Sequence, residues 1–283
     1  RSLMIDDNTV IQANYYNTNY YKPEYVNENF DCFVIPLADA FRENFVNELN
    51  ELTSFVKKLK IPCYVIGVGL KESYEPDFSQ PKPQDEAVKK FVTAVLEKSN
   101  CIGVRGELTG KYLETLGFAE GRDFMVIGCP SMYMKGKRLH IQNPKLDVNS
   151  KVCFNSNVAA SVPTRKFIKL KMKEFENHYF IGQVVNELRS IYLGAPYEYK
   201  IEYNFRNVTD KIYQDGRLRF FCNVPKWMEF LNDSDLTFGS RLHGNIAAVL
   251  AGTPALLVTK DSRTRELAEY HHLNAIHESK LNE

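Results

Sequence analysis

The chain has 283 residues, of which 44% are hydrophobic and 25% are charged, and its formal net charge at pH 7 is +1. This is the composition of a soluble globular protein with enough chain for one or two hydrophobic cores. The small net charge argues against a general nucleic-acid binder, which needs a large surplus of Lys and Arg, and no run of about twenty apolar residues is present that could span a membrane.

The first segment, 1–29, is polar and rich in tyrosine and asparagine. Sugars stack on aromatic faces and bond to hydroxyl and amide groups, so Tyr16 and Tyr20 are candidates for binding a sugar acceptor. An ordinary surface loop is the alternative interpretation. A strand is predicted over Cys32–Leu37, and apolar residues at helical spacing predict a helix over Ala40–Leu59.

Two glycines, Gly67 and Gly69, stand at the end of the next predicted strand, Cys63–Val68. Glycines at a strand end allow a ligand or another part of the backbone to approach closely. A simple tight turn explains them equally well. No third glycine opens a helix behind them, so the pattern is not a dinucleotide-binding fingerprint.

An arginine, Arg105, follows the third predicted strand directly. The elements predicted in this part of the chain are a helix through Val88–Leu96, a strand over Ile102–Val104, a helix over Glu107–Leu116 and a strand over Phe124–Ile127. At the carboxyl end of its strand, Arg105 is a candidate for reaching a ligand cleft. Alternatively, it pairs with Glu107 and steadies the turn.

The polar, proline-containing segment 138–150 has no periodicity and predicts a junction between a domain over 1–140 and a domain over 141–283. The elements predicted after it are strands over Val152–Asn155 and Tyr179–Gln183 and helices over Thr164–His178, Val184–Tyr192 and Val224–Asn232. The basic residues of the helix over 164–178 indicate a solvated face. The segment 194–219 is aromatic and irregular, and no element is predicted there.

Cationic side chains follow two strands near the end of the chain. The elements predicted there are strands over Leu236–Phe238 and Ala255–Thr259 and helices over Asn245–Ala251 and Arg265–Tyr270, with a loop over Lys260–Thr264. Arg241 and His243 leave the first strand, and Lys260, Arg263 and Arg265 leave the second. The carboxyl ends of parallel strands meet at one edge, where helix N-termini favour anions. The pattern therefore predicts a site for a small, highly charged anion, with solvated surface charges as the alternative.

The run GSRLHGNIAAVLAGTPALLVTKDSRTREL resembles the C-terminal signature of the polysaccharide pyruvyl transferase family. In that signature an R-x-H after a strand is followed by a helix of small residues, G-x-P, an apolar strand and a D-x-K or D-S-R element. Arg241 and His243 match the R-x-H, and 261–263 match the last element. Arg263 stands where many members of the family carry Lys.

Two further segments resemble the same family. Gly67-Val68-Gly69 is similar to the G-x-G of the family pattern. The strand before Arg105 and the helix after it match a second part, in which an arginine is followed by an acid. Here Gly106 is inserted between Arg105 and the acid Glu107.

Strand and helix alternate in both halves, which predicts an α/β protein with two Rossmann-like doubly wound domains facing a cleft. The resemblance implies the same arrangement, a fold like that of the GT-B glycosyltransferases. It also implies that the enzyme moves a pyruvyl group from phosphoenolpyruvate to a sugar as a cyclic ketal, in the synthesis of exopolysaccharide or a cell-surface glycan. The domain over 1–140 would then bind the acceptor, and the domain over 141–283 would bind phosphoenolpyruvate.

The residues predicted to bind phosphoenolpyruvate are Arg105, Arg241, His243, Lys260, Arg263 and Arg265. His243 is also predicted to be catalytic as acid, base or both, because imidazole titrates near neutral pH. The acceptor would meet Gly67, Gly69, Tyr16 and Tyr20.

Phosphoenolpyruvate is a substrate, and no cofactor is expected. The six cysteines are scattered without a CxxC pair, so we expect reduced thiols and no metal site. The expected partners are phosphoenolpyruvate and a sugar or lipid-linked oligosaccharide, without nucleic acid; the pattern does not predict an oligomeric state. We expect a cytoplasmic protein, and a peripheral position at the inner face of the membrane stays open.

Two other functions remain open. A nucleotide-sugar glycosyltransferase of GT-B type would need a slot for the base and an acid for the ribose, and neither is visible in the sequence. A catalytically inactive sugar-binding relative is the second, and the presence of His243 argues against it. The early glycine turn of the family is not recognisable and the chain stops soon after the C-terminal signature, so segments are expected to be missing at both ends.

Overall fold

The computed structural model describes residues 8–14, 20–157, 159–196, 205 and 207–281. Tyr16, predicted to bind the acceptor, lies outside the described residues. The chain forms two compact units. Unit 1 consists of Arg1–Met134 and Asp261–His272, and unit 2 of Lys135–Lys260 and Leu273–Glu283. The segment Asp261–His272, which follows the last predicted strand, thus belongs to the N-terminal unit.

The strands are β1 (Phe33–Pro36), β2 (Cys63–Val68), β3 (Ile102–Val104), β4 (Phe124–Val126), β5 (Val152–Asn155), β6 (His178–Gly182), β7 (Leu218–Phe220), β8 (Leu236–Gly239), β9 (Ala255–Thr259) and β10 (Ala275–His277). The helices are α1 (Pro23–Asn29), α2 (Val46–Lys57), α3 (Asp85–Leu96), α4 (Glu107–Thr115), α5 (Val162–Met172), α6 (Val185–Leu193), α7 (Lys211–Gln214), α8 (Val224–Asn232), α9 (Leu242–Ala251) and α10 (Ser262–Tyr270). Four short 3-10 turns accompany them at 43–45, 130–133, 136–138 and 278–280.

Unit 1 is built on a parallel sheet in which the strands stand in chain order, β1-β2-β3-β4. Helices α2 and α3 pack against each other and cover the sheet with their apolar faces. Phe41, Phe91 and Phe124 are among the largest side chains that this core buries completely. Burying them removes a large apolar area from water, which is the main stabilising contribution to such a core.

Unit 2 is built on a six-stranded parallel sheet with the order β10-β9-β8-β5-β6-β7. From β5 the chain moves outward through β6 to β7, and from β8 it moves in the opposite direction through β9 to β10. The strand order therefore reverses between β5 and β8, which pair over Val152–Asn155 and Leu236–Gly239. Open α/β sheets bind ligands at the carboxyl ends of the strands at such a reversal.

The predicted bounds are confirmed for β2, β3, β5, β9 and α8. The prediction that a helix begins at Ala40 is wrong, because Phe41 forms a parallel bridge with Leu70 and the chain first becomes helical near Glu43. The predicted helix over Thr164–His178 ends early, since His178 begins β6.

Other elements differ from the predictions for other reasons. α1, α7, β7 and β10 lie in segments without a hydrophobic repeat, and none of them was predicted. The predicted loop over Lys260–Thr264 is partly helical: α10 begins at Ser262, because the Asp261 side chain caps it by accepting a hydrogen bond from the Thr264 N–H at 2.9 Å. Across the described part of the chain, no helix combines the length and the apolar character needed to cross a membrane.

Candidate functional site

The strand reversal of unit 2 brings the end of β5 next to the start of α9. The amide oxygen Oδ1 of Asn155 accepts a hydrogen bond from the Arg241 backbone N–H at 2.8 Å, and its backbone oxygen accepts one from the N–H of Ser240 at 3.3 Å. A side chain at Gly239 would place its Cβ 1.9 Å from the Asn155 oxygen, so only glycine fits between the two strand ends. These contacts fix the backbone that enters α9, and within the described residues the side chain of its N-cap residue, Arg241, makes no capping hydrogen bond. Such an N-terminus suits an anion.

The guanidinium of Arg241 is held by neighbours within unit 2. Its Nη2 lies 2.6 Å from Oε1 of Glu187, and its Nε donates to the Ser156 carbonyl at 2.7 Å. Glu187 is fully buried and also accepts hydrogen bonds from the backbone N–H groups of Gln183 and Val184. The arginine charge is thus balanced by a buried acid, and these contacts position the strand ends; binding of phosphoenolpyruvate by Arg241 stays a prediction.

His243 and Lys260 also belong to unit 2. His243 is the second residue of α9, and its side chain is exposed beside the start of the helix. Lys260 follows β9, the neighbour of β8, and its ammonium donates to the Ala159 carbonyl in the loop after β5. The structure therefore brings the polar residues that follow three adjacent strands to one edge of this sheet.

Gln183 is a polar residue at the same edge that the sequence analysis did not single out. It follows β6, and its side-chain Nε2 is buried without a hydrogen-bond partner among the described residues. A Cβ at Gly244, in the first turn of α9, would lie 2.5 Å from this nitrogen. The signal in the sequence was Gly244, which follows the R-x-H. A glycine there leaves room for the side chain of another residue to lie against the start of α9.

Unit 1 contains a second cationic group, built around Arg105. This residue follows β3 and is only 4% exposed; its Nε donates to the Gly67 carbonyl at 2.7 Å, and its Nη2 to that of Leu37 at 3.5 Å. Its Nη1 is buried and has no partner among the described residues. Burial lowers the pKa of Arg105 and the charge of Arg263 lowers it further, whereas nearby acidic groups raise it. Arg105 therefore keeps an unsatisfied donor close to a second arginine.

Arg263 lies in the first turn of α10. Its Nη2 is 3.6 Å from Oδ2 of Asp261, while its Nε is buried without a partner among the described residues. Burial opposes ionisation of Asp39, but Arg263 and Arg42 outweigh this and lower its pKa. The Asp39 carboxylate contacts Arg42 at 2.6 Å.

Glu266, also on α10, is a buried acid that the sequence analysis missed. It is 1% exposed, and its carboxylate accepts hydrogen bonds from the Thr109 backbone N–H and hydroxyl at 2.9 Å. Burial raises the pKa of Glu266 to about 7, although the hydrogen bonds from Thr109 and the charge of Arg105 act in the opposite direction. The sequence offered no signal, since Glu266 is one charged residue among several in a polar helix.

The two glycines after β2 have packing roles in unit 1. Gly67 has φ +74°, and a Cβ there would lie 2.8 Å from Cδ of Pro130. A Cβ at Gly69 would lie 2.9 Å from Cδ of Arg105. Their predicted role in acceptor binding stays a prediction. Tyr20 is 56% exposed and contacts the ring of Tyr21 edge-on at 4.8 Å.

Arg265 points along the surface of α10. Its Nε lies 2.8 Å from Glu269 Oε1, and its guanidinium stacks over the ring of Tyr74 at 5.1 Å. Its predicted role in binding phosphoenolpyruvate stays a prediction. In the part of the chain that the structure describes, no group of three or more His, Cys, Asp or Glu side chains is arranged to hold a metal ion.

Comparison with known proteins gives a family and a fold. The sequence profile of a family described as polysaccharide pyruvyl transferase matches residues 5–262. A candidate UDP-N-acetylglucosamine 2-epimerase from Listeria monocytogenes is 13% identical, with a TM-score of 0.51 over 92% of this chain and 65% of that chain. The UDP-GlcNAc 2-epimerase of Methanocaldococcus jannaschii, solved with UDP-GlcNAc and UDP, is 11% identical, with a TM-score of 0.49 over 90% of this chain and 68% of that chain. No curated protein matches the chain. The fold is of the GT-B-like α/β kind, with two parallel sheets.

Proposed function

The chain belongs to the polysaccharide pyruvyl transferase family, and on that premise we propose that it transfers a pyruvyl group from phosphoenolpyruvate to two hydroxyls of a sugar, forming a cyclic ketal. The acceptor would be a sugar or a lipid-linked oligosaccharide used for an exopolysaccharide or another cell-surface glycan.

The observation that carries the choice of an anionic donor is the pair of arginines in unit 1. Arg105 and Arg263 each bury a guanidinium N–H that lacks a partner among the described residues. The charge of Arg263 also disfavours the charged state of Arg105. Buried donors of like charge are costly without an acceptor. A ligand with a phosphate and a carboxylate would satisfy both groups and relieve their repulsion.

In unit 2 the support comes from the edge at the strand reversal. Among the described residues the N-cap Arg241 does not cap α9 with its side chain, and the first turn carries the exposed His243. Arg241 holds this turn in place through Glu187 and Ser156. Such an N-terminus favours negative charge, and an imidazole there is suited to proton transfer.

The proposed reaction joins both acceptor oxygens to the central carbon of phosphoenolpyruvate. The first hydroxyl adds to that carbon while a proton reaches the methylene group, which becomes a methyl group. The bond from carbon to the phosphate oxygen then breaks, and the second hydroxyl takes its place. The methyl group thus gains one hydrogen for the proton that the first hydroxyl loses, and the proton of the second hydroxyl leaves with the phosphate. His243 is the candidate for moving these protons.

The proposal is tested by titrating phosphoenolpyruvate into the wild type and the R105A, R263A, R263K and H243N variants in a calorimeter. Loss of one charge-assisted hydrogen bond costs about 1.5–3 kcal/mol, so R105A and R263A should each weaken binding by roughly tenfold to a hundredfold. R263K keeps the charge without the planar fork and should fall between them and the wild type.

The matched control for the arginine variants is R122A. Arg122 is an exposed arginine of unit 1 that pairs with Asp123, so this variant removes the same charge and should bind as the wild type does.

Catalysis is tested by incubating the protein with phosphoenolpyruvate and a panel of saccharides with neighbouring hydroxyls. The expected product has gained one pyruvate and lost one water, together with release of phosphate. H243N should retain donor binding and lose this product. A wild type that takes up a UDP-sugar and not phosphoenolpyruvate would be a glycosyltransferase and would refute the proposal. Binding of a saccharide without any turnover would indicate an inactive sugar-binding protein.

A further inference from the structure

The N-terminus of α4 receives its capping carboxylate from a distant part of the sequence. The helix begins at Glu107, and the residue before it, Gly106, has no side chain with which to cap it. A capping acid ordinarily accepts a hydrogen bond from the backbone N–H of the third helical residue. In α4 that residue is Thr109, and its N–H donates to Oε2 of Glu266 at 2.9 Å. Glu266 of α10 thus fills the position of a local cap.

A side chain at position 106 and the side chain of Glu266 would compete for the same space. A Cβ at Gly106 would lie 2.6 Å from Cβ and 2.9 Å from Oε2 of Glu266. The backbone at Gly106 is extended, with φ −174° and ψ 178°, which any residue can adopt. The three nearest obstacles to a side chain there are all atoms of Glu266. A carboxylate-bearing side chain from α10 therefore occupies the space that a side chain at position 106 would need.

The side chains of Glu266 and Arg105 both border a second glycine, Gly69. The Cβ position of Gly69 lies 2.9 Å from Cδ of Arg105 and 3.1 Å from Oε1 of Glu266. Both side chains therefore crowd against the same residue, and α4 begins two positions after Arg105.

We propose that Glu266 is a positioning residue for Arg105, because it caps the helix that begins two residues after this arginine and borders the same glycine, Gly69. The proposal rests on the proposed function, in which Arg105 binds phosphoenolpyruvate. It also assigns an electrostatic effect to Glu266, because a carboxylate close to Arg105 opposes an incoming anion unless it is protonated.

The charged groups around Glu266 define the sign of this effect. Burial raises the pKa of Glu266 to about 7. Arg105 favours its ionised form, and Asp261, the N-cap residue of α10, disfavours it. Arg263 and Asp39 act in turn on Arg105. Anion binding at Arg105 should therefore be accompanied by proton uptake at Glu266 when the pH is above about 7.

The test uses E266Q, E266G, the exchange variant E266G/G106D and the control E107Q. E266Q keeps the size and can still bond to Thr109, but it carries no charge. E266G removes the cap, and the exchange returns a carboxylate to α4 from its own chain position. Glu107 is the exposed acid beside Gly106, so E107Q removes a charge at the same helix end without touching the buried contacts. Phosphoenolpyruvate affinity is measured by calorimetry from about pH 6 to about pH 8.5.

We expect E266G to weaken phosphoenolpyruvate binding about tenfold or more, and the exchange variant to recover affinity to within about threefold of the wild type. E266Q should match the wild type near pH 6 and bind about threefold or more tightly near pH 8.5, because only the wild type then carries the opposing charge. E107Q should follow the wild-type pH profile.

Equal affinities of E266G and the wild type, or identical pH profiles of E266Q and the wild type, would overturn the proposal. If E266G does not fold, the E266Q profile decides. If the wild type itself does not bind phosphoenolpyruvate, the proposed function fails, and the positioning role is decided by melting temperature. Recovery in the exchange variant of the stability lost in E266G would then support that role, and no recovery would overturn it.

Discussion

The ion pair between Arg241 and Glu187 should carry a large part of the stability of unit 2. The two groups are 2.6 Å apart, and Glu187 is fully buried. Removing one partner of a buried pair leaves an uncompensated charge and costs about 3–5 kcal/mol. R241A also loses the hydrogen bond to Ser156, worth about 1 kcal/mol, while two backbone N–H groups continue to solvate Glu187. We therefore expect R241A to lower the free energy of unfolding of unit 2 by about 3–5 kcal/mol.

Urea unfolding followed by the fluorescence of Trp227 measures this loss. Trp227 is the only tryptophan of the chain, and it lies on α8 in unit 2. Adding E187Q to R241A removes the charge that R241A leaves unpaired. The loss of unfolding free energy in the double variant should therefore be smaller than the sum of the losses in R241A and E187Q, by about 1–3 kcal/mol. R189A removes an exposed arginine from α6 and should change stability by less than about 0.5 kcal/mol.

A loss below about 1 kcal/mol in R241A would refute this account of the pair. The result also bears on ligand binding. Weak binding by R241A identifies an anion contact only if the variant is folded at the temperature of the titration. H243N alters an exposed side chain and should keep the stability of the wild type.

Three further predictions concern other buried groups. Because burial raises its pKa to about 7, Glu266 contributes stability that is complete below about pH 4.5 and is lost as the pH rises through 7. At about pH 8, E266Q should therefore have a free energy of unfolding up to about 3 kcal/mol above that of the wild type, measured in urea. Equal urea midpoints of the two proteins would contradict this. Burial lowers the pKa of His271 to about 4, and its Nε2 accepts a hydrogen bond from the Cys129 N–H at 2.7 Å; the wild type should lose stability between about pH 6.5 and 4, and H271Q should show a smaller loss in acid unfolding followed by circular dichroism. G244A places a Cβ 2.5 Å from Nε2 of Gln183 and should lower stability by about 1–3 kcal/mol in urea, whereas an unchanged midpoint would show that Gln183 moves freely.

Much of the fold could be predicted from local patterns. The bounds of β2, β5 and β9 follow from short apolar runs between polar or turn residues, and the structure has the same bounds. The α/β class with two parallel sheets is confirmed as well. β7 and β10 were missed because each has only three residues and one of them is basic, Arg219 or His277, so neither forms an apolar run. Their backbone pairing with β6 and β9 defines them.

The candidate site could be predicted only in part. Arg105 and Arg241 follow strands in the sequence, and a charged side chain at the end of an apolar run is visible without a structure. Their partners are not visible in this way. Glu187 and Glu266 each stand among other polar residues of a helix without a distinguishing pattern, and their importance arises from full burial near an arginine.

The sequence by itself determined the alternation of strands and helices, the family resemblance and the identity of the cationic residues, because each of these depends on neighbours along the chain. Only the tertiary structure decided that the strand order of unit 2 reverses between β5 and β8, and that α10 belongs to unit 1. Only it showed that the carboxylate capping α4 comes from Glu266. Strand order, burial and capping across the chain depend on contacts between residues far apart in sequence, and such contacts leave no periodic signal in a single sequence.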